Sequence, residues 1–468
     1  MRYSMLYRSL RTALVMGVAV VLAGCSETSE GNRPGGQAAS PMSADSLRAL
    51  AREACIYAFA TVEHNKSLGG VLSVGANMLL PRTTMIAPAE TSTVAPNNDT
   101  YYSTAVLDLR AEPVVISVPA VADRYFAFQL VDMFTDNLEY ISPSSTGRDG
   151  GNYLIAHSDW KGTVPPGIAK QIASPAMFVF TVARTQAYEA IDKTALDIQS
   201  RYAVVPLSAF AKTPPPPAPA AFRLPARVDA KSCSAEEFFG MFNLLMQYQR
   251  LAPPDVKTIG RFEALGVHPG KEYDRSVFDD GQWRAIEDGV AEGRAAILAQ
   301  TTRIGTSRNG WDFSPANAGK WGDDYLTRAA AAWKYIYVNS PAEAVYPTAN
   351  VDAEGAPLDG SKGNYVLAFS KDQVPRVRYF WSLTMYSDRG YLYANPVERY
   401  LLNSSQDLRR GTDGSLTVYL QHENPGEAES SNWLPAPRGP FFVILRMYGP
   451  EAGTLSGADV LPPLVRMP

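Results

Sequence analysis

From Ala44 onward apolar residues recur at helical spacing: Leu47, Leu50, Ala51, Ala54, Cys55, Ala58, Phe59 and Val62 form one stripe. That stripe predicts an amphipathic helix with a single buried side. His64 closes the pattern and reads as a partner for the free carbonyls of a last helical turn. The period then switches to two. Residues 114–118 and 125–131 are β-branched or aromatic runs bounded by Pro113, Pro119 and Asp123. In the second run Phe126, Phe128 and Leu130 share one face, and Tyr125, Ala127, Gln129 and Val131 share the other. A further strand is predicted over 177–182 and a short helix over 195–202.

The run Thr213-Pro214-Pro215-Pro216-Pro217-Ala218-Pro219 interrupts everything, because proline donates no amide and holds an extended backbone. Beyond it, Ser234 and Glu237 have capping-box spacing, followed by Phe238, Phe242 and Leu245. Trp283, Ile286, Val290 and Ile297 mark a second helix, and Tyr325, Ala329, Ala332, Trp333 and Ile336 a third. From Asp352 the chain returns to strands, over 365–369, 379–386, 416–421 and 441–448, separated by turn signals such as Asp388-Arg389-Gly390. In 379–386, Tyr379, Trp381, Leu383 and Met385 form an apolar face. Phe380, Ser382, Thr384 and Tyr386 form a half-polar one, as expected of a strand between a core and a lined cavity. Strands spaced in this way suggest β-sandwiches or jelly rolls.

Ahead of the first helix, Arg2, Arg8 and Arg11 precede a short apolar run over 13–21 and the tetrad Leu22-Ala23-Gly24-Cys25. The run is well under the roughly 18 to 20 residues of a spanning helix. The tetrad resembles the bacterial lipobox, which implies a signal peptide over 1–24, acylation (palmitate among the chains) at Cys25 and a membrane anchor. No aspartate follows Cys25, so the expected address is the outer membrane, facing the periplasm. Residues 25–42 read as a flexible tether. The remaining boundaries fall at 43–212 for an N-terminal domain, 213–227 for a proline-rich connector, 228–350 for a helical region and 351–468 for a C-terminal domain.

Of the 468 residues 46 % are hydrophobic and 19 % charged, which suits a globular chain with ample core material. Removal of the three leader arginines would take the formal charge from −4 to −7, which argues against nucleic acid as a partner. Cys55 and Cys233 read as two thiols in the body of the chain, better explained as buried than as a disulfide.

No nucleophile elbow, zinc-protease helix, paired-cysteine motif or phosphate loop is present, and the four histidines stand far apart, so no metal or cofactor is expected. The densest polar and aromatic stretch is Pro96-Asn97-Asn98-Asp99-Thr100-Tyr101-Tyr102. Its bland reading is an Asx turn opening a strand. Its functional reading is that Asn97 and Asp99 orient a ligand, Tyr101 or Tyr102 stacks on it, and Arg124 or Arg378 supplies positive charge. As a general base, Asp99 would need burial or a neighbour to raise its pKa. A second candidate is Asn432-Trp433-Leu434-Pro435-Ala436-Pro437, either a stiff binding rim or a tryptophan plugging a sandwich end. Arg446, among Phe442, Ile444 and Tyr448 on one strand face, needs a carboxylate or an anionic ligand.

Pro96 to Tyr102, Leu107-Asp108-Leu109, Asp123-Arg124-Tyr125 and Asp132 resemble the domain of unknown function 1254. Leu358-Asp359-Gly360, Phe380 to Tyr386, Asn395-Pro396, Asp413-Gly414-Ser415 and Asn432 to Pro437 resemble its companion, the domain of unknown function 1214. The resemblance implies a mainly β chain with inserted helices (α+β), built on two jelly-roll-like β-sandwich domains, in proteins often exported. It supplies no reaction. The leading expectation is a lipid-anchored envelope protein that binds a small polar ligand or glycan near Asn97, Asp99, Tyr101, Tyr102, Arg124, Trp381, Tyr386, Trp433 and Arg446. The rivals are a hydrolase or lyase with Asp99 as general base, and a structural or assembly protein forming homo-oligomers.

Overall fold

Two pairs of β-sheets and one layer of helices make up the computed structural model, which describes residues 42–91, 94–222 and 224–467. The leader, Cys25 and nearly all of the tether lie outside the described residues. Among the described residues no helix is long and apolar enough to cross a membrane. The chain is mainly β with inserted helices, as the strand periods predict.

In the N-terminal half, one sheet runs Leu80–Pro81, Thr100–Asp108, Phe178–Gln186, Phe126–Val131, Asn137–Ile141. The other runs Ile168–Ser174, Gly151–His157, Val114–Val118, Ala203–Pro206. Phe126, Phe128 and Leu130 share one apolar core with Val114, Ile116 and Ile155 of the second sheet, and the Phe128 ring meets Tyr202 edge-on at 4.9 Å. The short helix that precedes the last strand spans Lys193–Ser200.

The C-terminal half repeats the plan. Val377–Ser387 and Phe441–Pro450 form the centre of a larger sheet, with Ser382 opposite Arg446 and Thr384 opposite Ile444. Trp381, Leu383 and Met385 pack against Leu367, Phe369, Val418 and Leu420 of the facing sheet. Tyr379 departs from its expected face. A register shift between Val377 and Phe380 turns it out of that core and onto Tyr125, with ring centroids 5.3 Å apart.

The helices join the N-terminal core rather than standing apart: Phe238, Phe242, Trp283 and Ile286 are buried with Phe59 and Phe178. Ser234 and Glu237 form the capping box their spacing predicts. The opening helix, Ala44–Leu72, lies against Asp280–Gln300 so closely that a Cβ on Gly289 would stand 2.2 Å from the Arg48 carbonyl oxygen. A Cβ on Gly293 would stand 2.8 Å from that of Cys55. This helix continues two turns past His64, which corrects its reading as a helix-end residue. His64 is buried, with Nδ1 2.8 Å from the Tyr337 hydroxyl, and burial lowers its pKa to about 4. The proline run carries neither helix nor strand, and both cysteines are free thiols, Cys55 buried and Cys233 half-buried.

Candidate ligand-binding site

The outer faces of the two large sheets meet, and the seam between them is where the polar residues gather. On a strand paired on both sides, alternate side chains point away from the sandwich core. Thr100, Tyr102, Arg184, Tyr125, Ala127 and Gln129 therefore turn toward the C-terminal half, as the contacts of Tyr125 and Ala127 with Phe380 and Tyr448 show. Phe380, Ser382, Thr384, Tyr386, Arg446 and Tyr448 answer them from the other side.

The loop before Thr100–Asp108 is pinned across this seam. Asn97 Oδ1 accepts the backbone amides of Asp99, at 2.6 Å, and Thr100, at 3.0 Å, so the Asx turn exists. Its Nδ2 also donates to the Tyr448 hydroxyl at 2.5 Å. The Tyr386 hydroxyl donates to the Pro96 carbonyl at 2.6 Å. Arg446 Nη2 donates to the Ala95 carbonyl at 2.9 Å, and Nη1 to Thr384 Oγ1 at 3.0 Å. Asp99 Oδ2 accepts from the Ser382 hydroxyl, whereas Oδ1 is buried and has no hydrogen-bond partner among the described residues.

Burial raises the Asp99 pKa, against the opposing pull of Arg446 and the hydrogen bond from Ser382. Burial also raises that of Tyr448, with Asp99 adding to it. Arg446 keeps its charge: burial opposes it, but Tyr386, Tyr448 and Asp99 more than offset that and move its pKa upward. Beside the seam lies an open cleft of about 260 Å³, bordered by Asn98, Asp99, Glu189, Arg399, Asn403 and Gln406.

Five of the predicted residues, Asn97, Asp99, Tyr102, Tyr386 and Arg446, therefore stand at one seam. Four others do not. The Tyr101 hydroxyl donates to the Ala190 carbonyl and accepts from the Asp192 amide, both at 3.0 Å. Arg124 is held by Asp192 at 2.7 Å and Asp123 at 3.1 Å, under the Tyr188 ring. Trp381 belongs to the C-terminal core. Trp433 is buried on the edge strand of the smaller C-terminal sheet, outside that domain's apolar core cluster, and donates from Nε1 to the Gln421 carbonyl at 2.8 Å. Arg378 donates to the Ala342 carbonyl, away from Asp99.

Tyr346 and Arg184 escaped the sequence reading, which names Ser382 and Tyr448 only as members of a strand face and not as site residues. Arg184 had a signal: it interrupts the apolar strand Phe178–Gln186 as Arg446 interrupts its own. Among the described residues no three histidine, cysteine or acidic side chains are placed to hold a metal ion.

The strands that build the seam fall in two regions matched by family models. Residues 76–206 match the protein of unknown function DUF1254, and residues 343–452 match the protein of unknown function DUF1214. The chain is a tandem DUF1254–DUF1214 protein. The seam is thus the junction of the two named domains, with Asp99 and Arg184 from DUF1254 and Ser382 and Arg446 from DUF1214.

The tandem protein is similar in structure to the VPA0106 protein from Vibrio parahaemolyticus, whose crystal structure aligns with a TM-score of 0.73 and 25 % identity. That alignment covers 90 % of this chain and 100 % of that one. An uncharacterised protein from Burkholderia cenocepacia aligns over 90 % of this chain and 89 % of its own, with a TM-score of 0.42 and 13 % identity. No curated protein matches the tandem chain.

Proposed function

We propose that this is an exported, lipid-anchored protein of the bacterial envelope that binds a small polar ligand, a sugar or glycan fragment included, where its DUF1254 and DUF1214 domains meet. One observation carries the ligand: Asp99 Oδ1, buried and unpartnered, in a residue that borders an open polar cleft. A buried carboxylate oxygen without a donor is costly, and a ligand hydroxyl or amine that satisfies it recovers that cost. The export address rests on Leu22-Ala23-Gly24-Cys25.

A ligand of this kind raises the melting temperature of the full chain in a panel of mono- and disaccharides, polyols and amines, and Asp99→Asn weakens that response at least tenfold. A panel without any saturable response, or an unchanged response in the variant, defeats the reading. For the anchor, labelled palmitate enters the wild type and not Cys25→Ala.

A hydrolase or lyase with Asp99 as general base is the second reading. It is favoured by the upward pKa shift of Asp99 and by the Ser382 hydroxyl donated to it. Under it, Asp99→Asn abolishes turnover while leaving ligand affinity within a few-fold of wild type. The binding reading predicts the reverse.

A further inference from the structure

Two guanidiniums are buried in the seam without a carboxylate within 4 Å of either: Arg184 and Arg446 form no ion pair among the described residues. Each is only partly satisfied. Arg184 donates from Nη1 to Gln129 Oε1 at 2.9 Å, and its Nε and Nη2 bond nothing among the described residues. Arg446 spends two donors on Thr384 and the loop carbonyls. Arginine is rarely fully buried unless paired, because the loss of hydration has to be offset by an opposite charge.

Phenols stand between the two. Arg184 lies over the Tyr102 ring at 5.6 Å, and Arg446 over Tyr346 at 5.9 Å and Tyr386 at 5.7 Å. Tyr102 lies close enough to both guanidiniums to act on their charge, and Tyr346 feels both in turn. Tyr102 and Tyr346 are only half-buried, Tyr102 against the edge of the N-terminal core and Tyr346 against residues of both domains, and the Tyr102 hydroxyl bonds nothing among the described residues. The two acids of the seam attract these arginines from beyond ion-pair distance and spend their hydrogen bonds on hydroxyls. Glu343 accepts the hydroxyls of Tyr125, at 2.7 Å, and Ser142, at 3.0 Å, and Asp99 accepts that of Ser382.

We infer that the ligand of this seam is an anion, whose carboxylate or phosphate group enters between Arg184 and Arg446 and takes a hydrogen bond from the Tyr102 hydroxyl. The inference rests on the seam being a ligand site and adds the charge of what binds there. Guanidinium forks suit both oxyanions, so the two share one recognition chemistry.

The test is calorimetric titration of the full chain with inorganic phosphate, with succinate, with neutral sorbitol and with cationic putrescine. Saturable binding of phosphate or succinate is expected, the stronger of the two identifying the group. Arg184→Gln and Tyr102→Phe weaken it at least tenfold and about three- to fivefold. Tyr102→Phe removes a hydroxyl that bonds nothing and keeps the ring, so it decides the matter where Arg184→Gln fails to fold. Binding of sorbitol or putrescine alone overturns the anion and leaves the seam a ligand site. Binding of none of the four overturns the anion, and the seam as a ligand site then falls with it if the broader saccharide, polyol and amine panel is also silent. Anion binding that survives Tyr102→Phe unchanged also overturns it.

Discussion

The strand Val377–Ser387 shows two environments on its two sides. One side, Trp381, Leu383 and Met385, is sealed into an apolar core. The other, Phe380, Ser382, Thr384 and Tyr386, meets an arginine, a carboxylate and four tyrosines at the domain junction. A dry core needs only shape and volume, whereas the junction needs each polar group to find a specific partner. Where partners are missing, at Asp99 Oδ1 and at Arg184, the structure has kept a feature that stability alone does not explain.

The contrast can be broken most strongly from the dry side. Leu383→Ala deletes volume that cannot be refilled and is expected to cost about 2–5 kcal/mol in urea unfolding, with ligand affinity in the folded fraction unchanged. Next comes His64, a polar group in an apolar setting. Its folded pKa, about 4, lies below the ordinary 6.5, so its contribution is intact above pH 6.5 and lost as the pH falls through 4. That loss is roughly 3 kcal/mol, and His64→Gln, which cannot charge, flattens that stretch of the stability profile.

At the seam the sign reverses. The folded pKa of Asp99 lies above 3.8, so its contribution is fullest below pH 3.8 and is lost as the pH rises through the raised value. Asp99→Asn is expected to remove that decline, read as the difference between unfolding midpoints at pH 3 and pH 7. The smallest effect belongs to Trp433→Phe, which loses one hydrogen bond to the Gln421 carbonyl. It should cost about 0.5–1.5 kcal/mol and leave anion titration unaltered.

Much of this is legible in the sequence. The alternation through 380–386 separated the dry face from the polar one, and an arginine among apolar neighbours marked Arg446. The rest depended on distance along the chain. Ser382 meets Asp99 across 283 positions, and nothing local to either announces the other. Arg124 looked available because its partner Asp192 is 68 residues away. Tyr379 followed the alternation in sequence but not in space, since one irregular pair of residues reverses a strand's sides. Trp381 looked like a binding aromatic because a large ring serves a groove and a core equally well.

The two glycines of Asp280–Gln300 set the order in which the molecule can be completed. Gly289 and Gly293 let the helix Ala44–Leu72 nest against one that emerges more than two hundred residues later. Until then the stripe of Leu47, Ala51, Cys55 and Phe59 has no permanent shelter, and the nascent chain must be kept from sticking to its neighbours. A fragment cut after residue 206 would inherit that exposure for good, so either domain is best studied with the whole polypeptide attached.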